Sequence, residues 1–351
     1  STVWIKLKDT PIVLKQKNSV FIMKIAGQPN LSLQEIRKAV LRIESYICQT
    51  PIYQWQSKWV EKHLGDGELH LKMEFLQKTG SFKARGAFNN VLTKNNRTSI
   101  RGLTAVSAGN HAIAVAYTAY KLNLSAKIIM HKAANPFRIK KCQQYGAEIV
   151  LMDDISAAFD RLDEISEIEN RLIVHPFDGI ETLQGTATIG LEIAESLGEI
   201  DAILVGVGGG GLIAGVATAL KHLQPNIKVI GVEPIGACGL TRSLEIGYPL
   251  QKVQINTIAD SMGAPLHCET SFKVCQQLID QMIVISDDEL CKAMALVYDS
   301  LKFALEPSGV AVIAALESNQ YKLKHQRVAG ILCGSNIDQT SWAQLALRGR
   351  K

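Results

Sequence analysis

From about residue 100 onward, short and nearly uninterrupted apolar runs alternate with longer amphipathic ones, and each kind predicts its own element. A strand covered on both faces needs a continuous apolar run, whereas apolar positions three and four apart line one side of a helix. "GLTAV" is followed by "HAIAVAYTAYKL", "SAKIIM" by "FRIKKCQQY", and "AEIVLM" by "AFDRLDEISEI", after which comes "RLIVHPF". A second series reads "DAILVGV", the helix-like "LIAGVATALKHL" and "KVIGVE", then "QMIVI", "DDELCKAMALVYDSLKFAL" and "VAGILC". This alternation predicts an α/β fold of the doubly wound kind with two sheets. Ahead of both series, "LSLQEIRKAVLRIESYI" repeats apolar residues at helical spacing, with Ser32 placed to cap its first turn.

Composition narrows the function classes. A chain of 351 residues suits one large or two medium domains able to bury a substantial interior. Hydrophobic residues at 47% and charged residues at 20% are ordinary for a globular protein, and a net charge of +5 without a Lys/Arg block offers nothing to nucleic acid. A small-molecule protein is expected. The seven cysteines form no CxxC pair and are odd in number, which fits reduced thiols and a cytoplasmic home. The eight histidines show no HxxxH or HExxH spacing, so no metal site is expected. The N-terminal "STVWIKLKDTPIVLKQ" is broken by charge too often for a signal peptide. Residues 202–220 are uncharged and long enough to span a membrane, but their glycines suit a strand, a tight loop and a helix instead. No membrane segment is expected.

Three stretches carry candidate chemistry. In "LVGVGGGGLIAG" a buried strand runs into four glycines and then a helix, so the backbone N–H groups of Gly208, Gly209, Gly210 and Gly211 are placed to wrap an anion. Gly206, Gly208 and Gly211 also satisfy GxGxxG, and Glu233 ends the next strand where a ribose ligand would stand. A Rossmann-type NAD-dependent oxidoreductase therefore remains an open reading of that loop, as does close helix packing alone. In "VSAGNHA", Ser107 and Asn110 are ordinary helix caps taken singly; together with Gly109 they form a set of donors suited to a carboxylate, with His111 beside them. In "FLQKTGSFKARGA", Lys83 follows Phe82 at the start of a helix-like run, either as a solvated lysine or as a reactive amine. An amine, a phosphate cradle and a carboxylate cradle are the parts needed to hold pyridoxal phosphate and an amino acid.

With these motifs in order, the chain resembles the fold-type II pyridoxal-phosphate enzymes (tryptophan synthase β-like), specifically the serine/threonine dehydratase and serine racemase group, from about residue 33 to 340. The resemblance implies that Lys83 in "TGSFKARGA" is the lysine bonded to the cofactor and that Phe82 packs on the cofactor ring. It implies a substrate-carboxylate loop made by Ser81, Ser107, Ala108, Gly109, Asn110 and His111, with Asn110 also reaching the ring hydroxyl. The tetraglycine loop with Leu212 would hold phosphate, Glu306 of "LEPSG" would lie near the ring, and Cys333 of "LCGSNID" would face the pyridine nitrogen. The organisation implied is an extension over 1–32, a large cofactor-binding domain from 33–100 plus 180–351, and a small domain over 101–179, with the cofactor between the two domains. A homodimer is implied as well.

The activity implied is β-elimination from a β-hydroxy amino acid, with L-threonine and L-serine as defaults and 3-hydroxyaspartate, a phenylserine or another β-substituted amino acid left open. Freed Lys83 would remove the α-proton, the bound phosphate would supply a proton to the leaving hydroxyl, and a neutral Cys333 thiol would make a weak electron sink that favours prompt elimination. Departures from the family pattern are Thr186 for a glutamine, Ala187 and Ser261 for glycines, and Gly239 where the family's metal site has its second acid. Ala108 replaces the serine that would return a proton in a racemase, so elimination without racemisation is expected. After "CGSNID" only "QTSWAQLALRGRK" follows, from which the absence of a regulatory domain and of isoleucine feedback is expected.

Overall fold

The computed structural model describes residues 12–13, 29–94 and 99–351. Most of the extension expected over 1–32 lies outside the described residues. In chain order the elements are β1 (Ile12–Val13), α1 (Leu33–Ile43), β2 (Ile52–Gln54), α2 (Lys58–Leu64), β3 (Glu68–Lys72), α3 (Lys83–Leu92), β4 (Gly102–Val106) and α4 (Asn110–Lys121). They continue with β5 (Ser125–His131), α5 (Pro136–Gln144), β6 (Glu148–Met152), α6 (Ile155–Glu169), β7 (Arg171–Ile173), α7 (Ile180–Leu197), β8 (Ala202–Gly206) and α8 (Gly211–Leu223). The last are β9 (Lys228–Pro234), α9 (Gly239–Ile246), α10 (Glu269–Leu278), β10 (Gln281–Ile285), α11 (Asp287–Leu301), α12 (Ala311–Ser318), β11 (Arg327–Ile331) and α13 (Gln339–Arg348).

Two sheets organise these elements, as the alternation of runs predicts. The seven-stranded sheet has the order β1-β10-β9-β8-β11-β3-β2, and the four-stranded sheet the order β6-β5-β4-β7. Pairing is parallel throughout the smaller sheet and between neighbours from β10 to β3 in the larger; only the edge strands β1 and β2 run antiparallel. Each order reverses once, between β8 and β11 in the large sheet and between β4 and β7 in the small one. At such a reversal the following helices leave on opposite faces and open a crevice at the carboxyl ends of the strands. "GVGGGG" follows β8, "LCGSNID" follows β11, "SAGNHA" follows β4 and "VHPF" follows β7.

The expected first helix is capped as predicted, with the Ser32 hydroxyl accepting from the Glu35 N–H at 3.3 Å. Other elements depart from the pattern for local reasons. "DDELCKAMALVYDSLKFAL" is helical only to Leu301, because Lys302 takes a left-handed φ of 64° and turns the chain. "RLIVHPF" is a strand only through Ile173, since Pro176 has no N–H to give a ladder. The segment containing "QGTAT" is the long helix α7, wedged between α3 and α8; a Cβ at Gly185 would lie 2.6 Å from the Arg85 carbonyl, so glycine permits that close approach.

Beneath α3 lies a buried ionic cluster. Arg85, fully buried, donates to both oxygens of Glu74, at 2.9 and 2.8 Å, and to both of Glu192, at 2.6 and 2.9 Å. Lys72, on β3 next to the edge strand β2, also meets Glu192 at 2.5 Å. The charges balance and α3, α7 and β3 are locked together at the end from which Lys83 projects. No helix among the described residues is long and apolar enough to cross a membrane.

Candidate active site

Lys83 opens α3, just after a turn through Thr79, Gly80 and Ser81. Gly80 is left-handed at φ +74°, and a Cβ there would stand 2.8 Å from Asn336 Oδ1. Ser81 bridges to Gly334, and the Phe82 N–H donates to the Cys333 carbonyl at 3.3 Å, which ties the start of α3 to the end of β11. Lys83 Nζ lies 5.1 Å from the centre of the Phe82 ring and donates to the Pro176 carbonyl at 2.5 Å. Burial lowers the amine's pKa to about 8. A buried lysine of this kind has the neutral form that a nucleophile or base requires within reach of neutral pH.

The cavity that receives Lys83 is also lined by Phe82, Cys333, Ser308 and the glycine loop with Leu212. Gly210 takes a left-handed φ of +93° and caps α8; a Cβ at Gly209 would stand 2.1 Å from the Phe177 ring. Side chains are therefore shut out, and the loop's amides are left bare at a helix N-terminus. Burial pushes the Cys333 thiol up to about 12, so it is neutral, and its Sγ lies 3.5 Å from the Ile331 carbonyl.

A second cavity of about 280 Å³ adjoins the first and shares Lys83, Asn110 and Ser261 with it. Ser107, Ala108, Gly109, Asn110 and His111 form one side, at the start of α4. Asn110 Nδ2 donates to Glu306 Oε1 at 2.6 Å and to Ser261 Oγ at 3.3 Å, while its Oδ1 accepts from Asn336 at 2.7 Å. Glu306 also accepts from the Ser308 hydroxyl at 2.6 Å. His111 faces the Val174 carbonyl with Nε2 at 2.7 Å, so that nitrogen carries the proton; burial, with Lys83 nearby, lowers its pKa to about 3 and keeps the ring neutral.

The structure thus brings Phe82, Lys83, Ala108, Asn110, the glycine loop, Leu212 and Cys333 to one connected space, together with Ser107, Gly109 and His111. Two expected residues stand back from it. Ser81 is wholly buried, with a hydroxyl that has no partner among the described residues. Glu306 acts behind Asn110 and Ser308, with Arg138 Nη2 3.7 Å from its second oxygen. Glu233 accepts from the Leu240 and Thr241 amides at 2.9 and 2.8 Å and the Thr241 hydroxyl at 2.6 Å. Burial pushes its carboxyl up to about 7 against these donors. It caps α9, so both its oxygens are committed there rather than to a ribose. At Gly239 a Cβ would lie 2.6 Å from His267 Nε2, so the place of a second acid is filled. Thr186 donates to the Gly211 carbonyl at 2.8 Å and thereby holds the first residue of α8.

Several lining residues went unmarked in the sequence: His175, Phe177, Arg138 and Asp260, all at the second cavity. His175 Nδ1 accepts the Asp178 and Phe177 amides at 2.9 and 3.3 Å, so the proton sits on Nε2, and burial lowers its pKa to about 4. Arg138 pairs through both terminal nitrogens with Asp260 and donates from Nε to the Asn336 carbonyl at 3.0 Å. The one available signal was topological, since "VHPF" leaves β7 at the point where the small sheet reverses.

A family model described as pyridoxal-phosphate dependent enzyme matches residues 43–334. The phenylserine dehydratase of Ralstonia pickettii is 43% identical over 304 residues, covering 86% of this chain and 92% of that protein. The catabolic L-threonine dehydratase of Escherichia coli strain K12 is 35% identical over 283 residues, covering 80% of this chain and 86% of that one. Among solved structures, the processed form of threonine deaminase isoform 2 from Solanum lycopersicum superposes with a TM-score of 0.84 at 32% identity, covering 98% of this chain and 99% of that one.

Proposed function

The chain belongs to the pyridoxal-phosphate dependent enzymes, and from that premise we propose that it is an ammonia-lyase, releasing the β-hydroxyl of a hydroxy amino acid to leave a 2-oxo acid and ammonia. The observation that carries this reading is the buried Lys83 amine in the same cavity as the bare glycine loop and the neutral Cys333 thiol. These residues fit the cofactor: the amides of Gly208 to Leu212 suit its phosphate, Phe82 its ring face, Lys83 its aldehyde and Cys333 its ring nitrogen. When bound, pyridoxal phosphate supplies a carbonyl for the substrate amine and a conjugated ring that accepts electrons from the α-carbon.

The protein's own groups do the rest. Ser107, Gly109 and Asn110, at the N-terminus of α4, bind the substrate carboxylate and so orient the α-carbon. Lys83 Nζ takes the α-proton, for which its lowered pKa suits it. A neutral thiol at Cys333 brings no negative charge to hold the ring nitrogen protonated, which favours rapid loss of the β-hydroxyl over long storage of charge. Water leaves in the elimination and is consumed again when ammonia is released, so the atoms balance. Ala108 has no proton to deliver from its side of the cavity, consistent with elimination without racemisation.

L-Threonine and L-serine are the first substrates to assay, and the names of the two curated relatives keep threonine and phenylserine both in view. The reading includes a carboxylate loop on a small domain over 101–179 and cofactor groups on a large domain over 33–100 plus 180–351, and it is supported by the four-stranded sheet, whose strands β4 to β7 all fall within 101–179. We extend the reading to a homodimer, to be checked by light scattering, and to the cytoplasm, a setting suited to seven free cysteines. In the deciding experiment, borohydride should fix the cofactor to Lys83, and hydroxy amino acids should release ammonia and 2-oxo acid in equal amounts. Lys83→Ala should lose the fixed cofactor and keep its fold. A wild-type protein that captures no pyridoxal phosphate would refute the proposal.

A further inference from the structure

The second cavity has two chemically different stretches. One polar stretch is the loop from Ser107 to His111; an apolar stretch is made by Phe159 of α6, Phe177 before α7, and Ile255, Ala264, Pro265 and Leu266 of the segment ahead of α10, and Arg138, His175, Asp260 and Ser261 line the cavity as well. Lys83 stands in the same cavity, so an amino acid whose α-carbon is at Lys83 and whose carboxylate is on the polar loop has the apolar stretch left for its β-substituent. The cavity of about 280 Å³ also holds the α-carbon and carboxylate, and a methyl group would fill little of what its apolar stretch offers. An apolar cavity of about 150 Å³ lined by Leu, Ile and Phe is enough to take benzene.

Charge leads to the same substrate class. A β-carboxylate would need a cation, and among the described residues lining this cavity each candidate is committed or neutral. Arg138 already gives its terminal nitrogens to Asp260 and its Nε to the Asn336 carbonyl, with Glu306 beyond. His111 and His175 are held neutral, each with one nitrogen turned to the backbone. Lys83 is reserved for the cofactor. We propose that Phe159, Phe177, Ile255, Ala264, Pro265 and Leu266 form a subsite for an uncharged aromatic β-substituent, so that the preferred substrates are β-aryl-β-hydroxy amino acids.

This proposal rests on the lyase reading, and the experiment separates the two. Holoenzyme is assayed for ammonia release from L-threo-phenylserine, L-threonine, L-serine and 3-hydroxyaspartate. L-Phenylalanine, L-alanine and L-aspartate, which have no β-hydroxyl to lose, are titrated calorimetrically. Phenylserine should exceed threonine in kcat/KM by about 10-fold or more, the scale on which added apolar groups are told apart in an apolar pocket. L-Phenylalanine should bind more tightly than L-alanine, and L-aspartate more weakly. Phe159→Ala should cut the phenylserine-to-serine ratio of kcat/KM about 10-fold; Leu266→Ala, on a different segment, serves if that variant does not fold. Turnover of threonine and serine with phenylserine no better, and L-phenylalanine binding no tighter than L-alanine, would overturn the subsite and leave the lyase standing. Ammonia from none of the amino acids would overturn the lyase, and the phenylalanine titration would still decide the subsite.

Discussion

Lys83 differs from an ordinary helix-start lysine only through its surroundings, because burial and not any neighbouring cation brings its amine pKa down to about 8. The sign follows directly: capture of the cofactor needs the neutral amine, whose fraction falls about tenfold for each pH unit below the pKa. The rate of pyridoxal phosphate capture by apoenzyme, followed by absorbance, should therefore rise with pH and level off above about 8. A rate still climbing toward the ordinary lysine value of 10.5 would show that the amine is solvated. At Ala108 the residue-scale expectation is a gain. A hydroxyl introduced by Ala108→Ser lines the cavity beside Lys83, and chiral separation after incubation with L-serine should then show a trace of D-serine that the unaltered protein does not form.

Helix α3 presents Lys83 from a first turn that is held from below. Arg85, two residues on, joins Glu74 to Glu192 of α7, and all three are buried or nearly so. Taking away the cation leaves two buried carboxylates with only Lys72 between them, and breaking a buried pair from one side commonly costs about 3–5 kcal/mol. Arg85→Met should lower unfolding free energy by that amount in urea titration, and borohydride should fix less cofactor to Lys83 at equal protein concentration. An unchanged midpoint would mean that packing of α3 against α7 suffices without the ion pairs.

At the scale of the whole molecule, the two sheets meet at a crevice bridged by α5. Arg138 reaches Asp260 and Asn336, Lys141 reaches Asn336 at 2.8 Å, and Asn135 reaches Asp338 at 2.9 Å. Helix α5 also packs on α4, whose first turn offers the carboxylate loop. Asp260→Asn weakens the bridge without touching the glycine loop, so KM for hydroxy amino acids should rise about 10-fold while the absorbance of bound cofactor stays the same. A fall in kcat with unchanged KM would place Asp260 in the chemistry instead.

How much of this could be read along the chain depended on distance. Strand and helix alternation, the Ser32 cap and the five motifs were legible, because a doubly covered strand demands a continuous apolar run and each cradle is built from neighbours in sequence. Strand β3 was not, since "ELHLK" looks polar until Lys72 finds Glu192 in the interior. Glu233 looked like a ribose ligand until the fold turned it to α9. Read along the chain alone, the residues settled the class of fold and nominated the candidate groups. Only the folded chain fixes that "VHPF" covers the glycine loop, that Phe159 and Leu266 line one cavity, that Arg138 is spent on Asp260, and that burial lowers the Lys83 pKa and raises that of Cys333. Those outcomes hang on strand order and on burial, which arise from contacts between residues far apart in the chain and leave no local pattern to read.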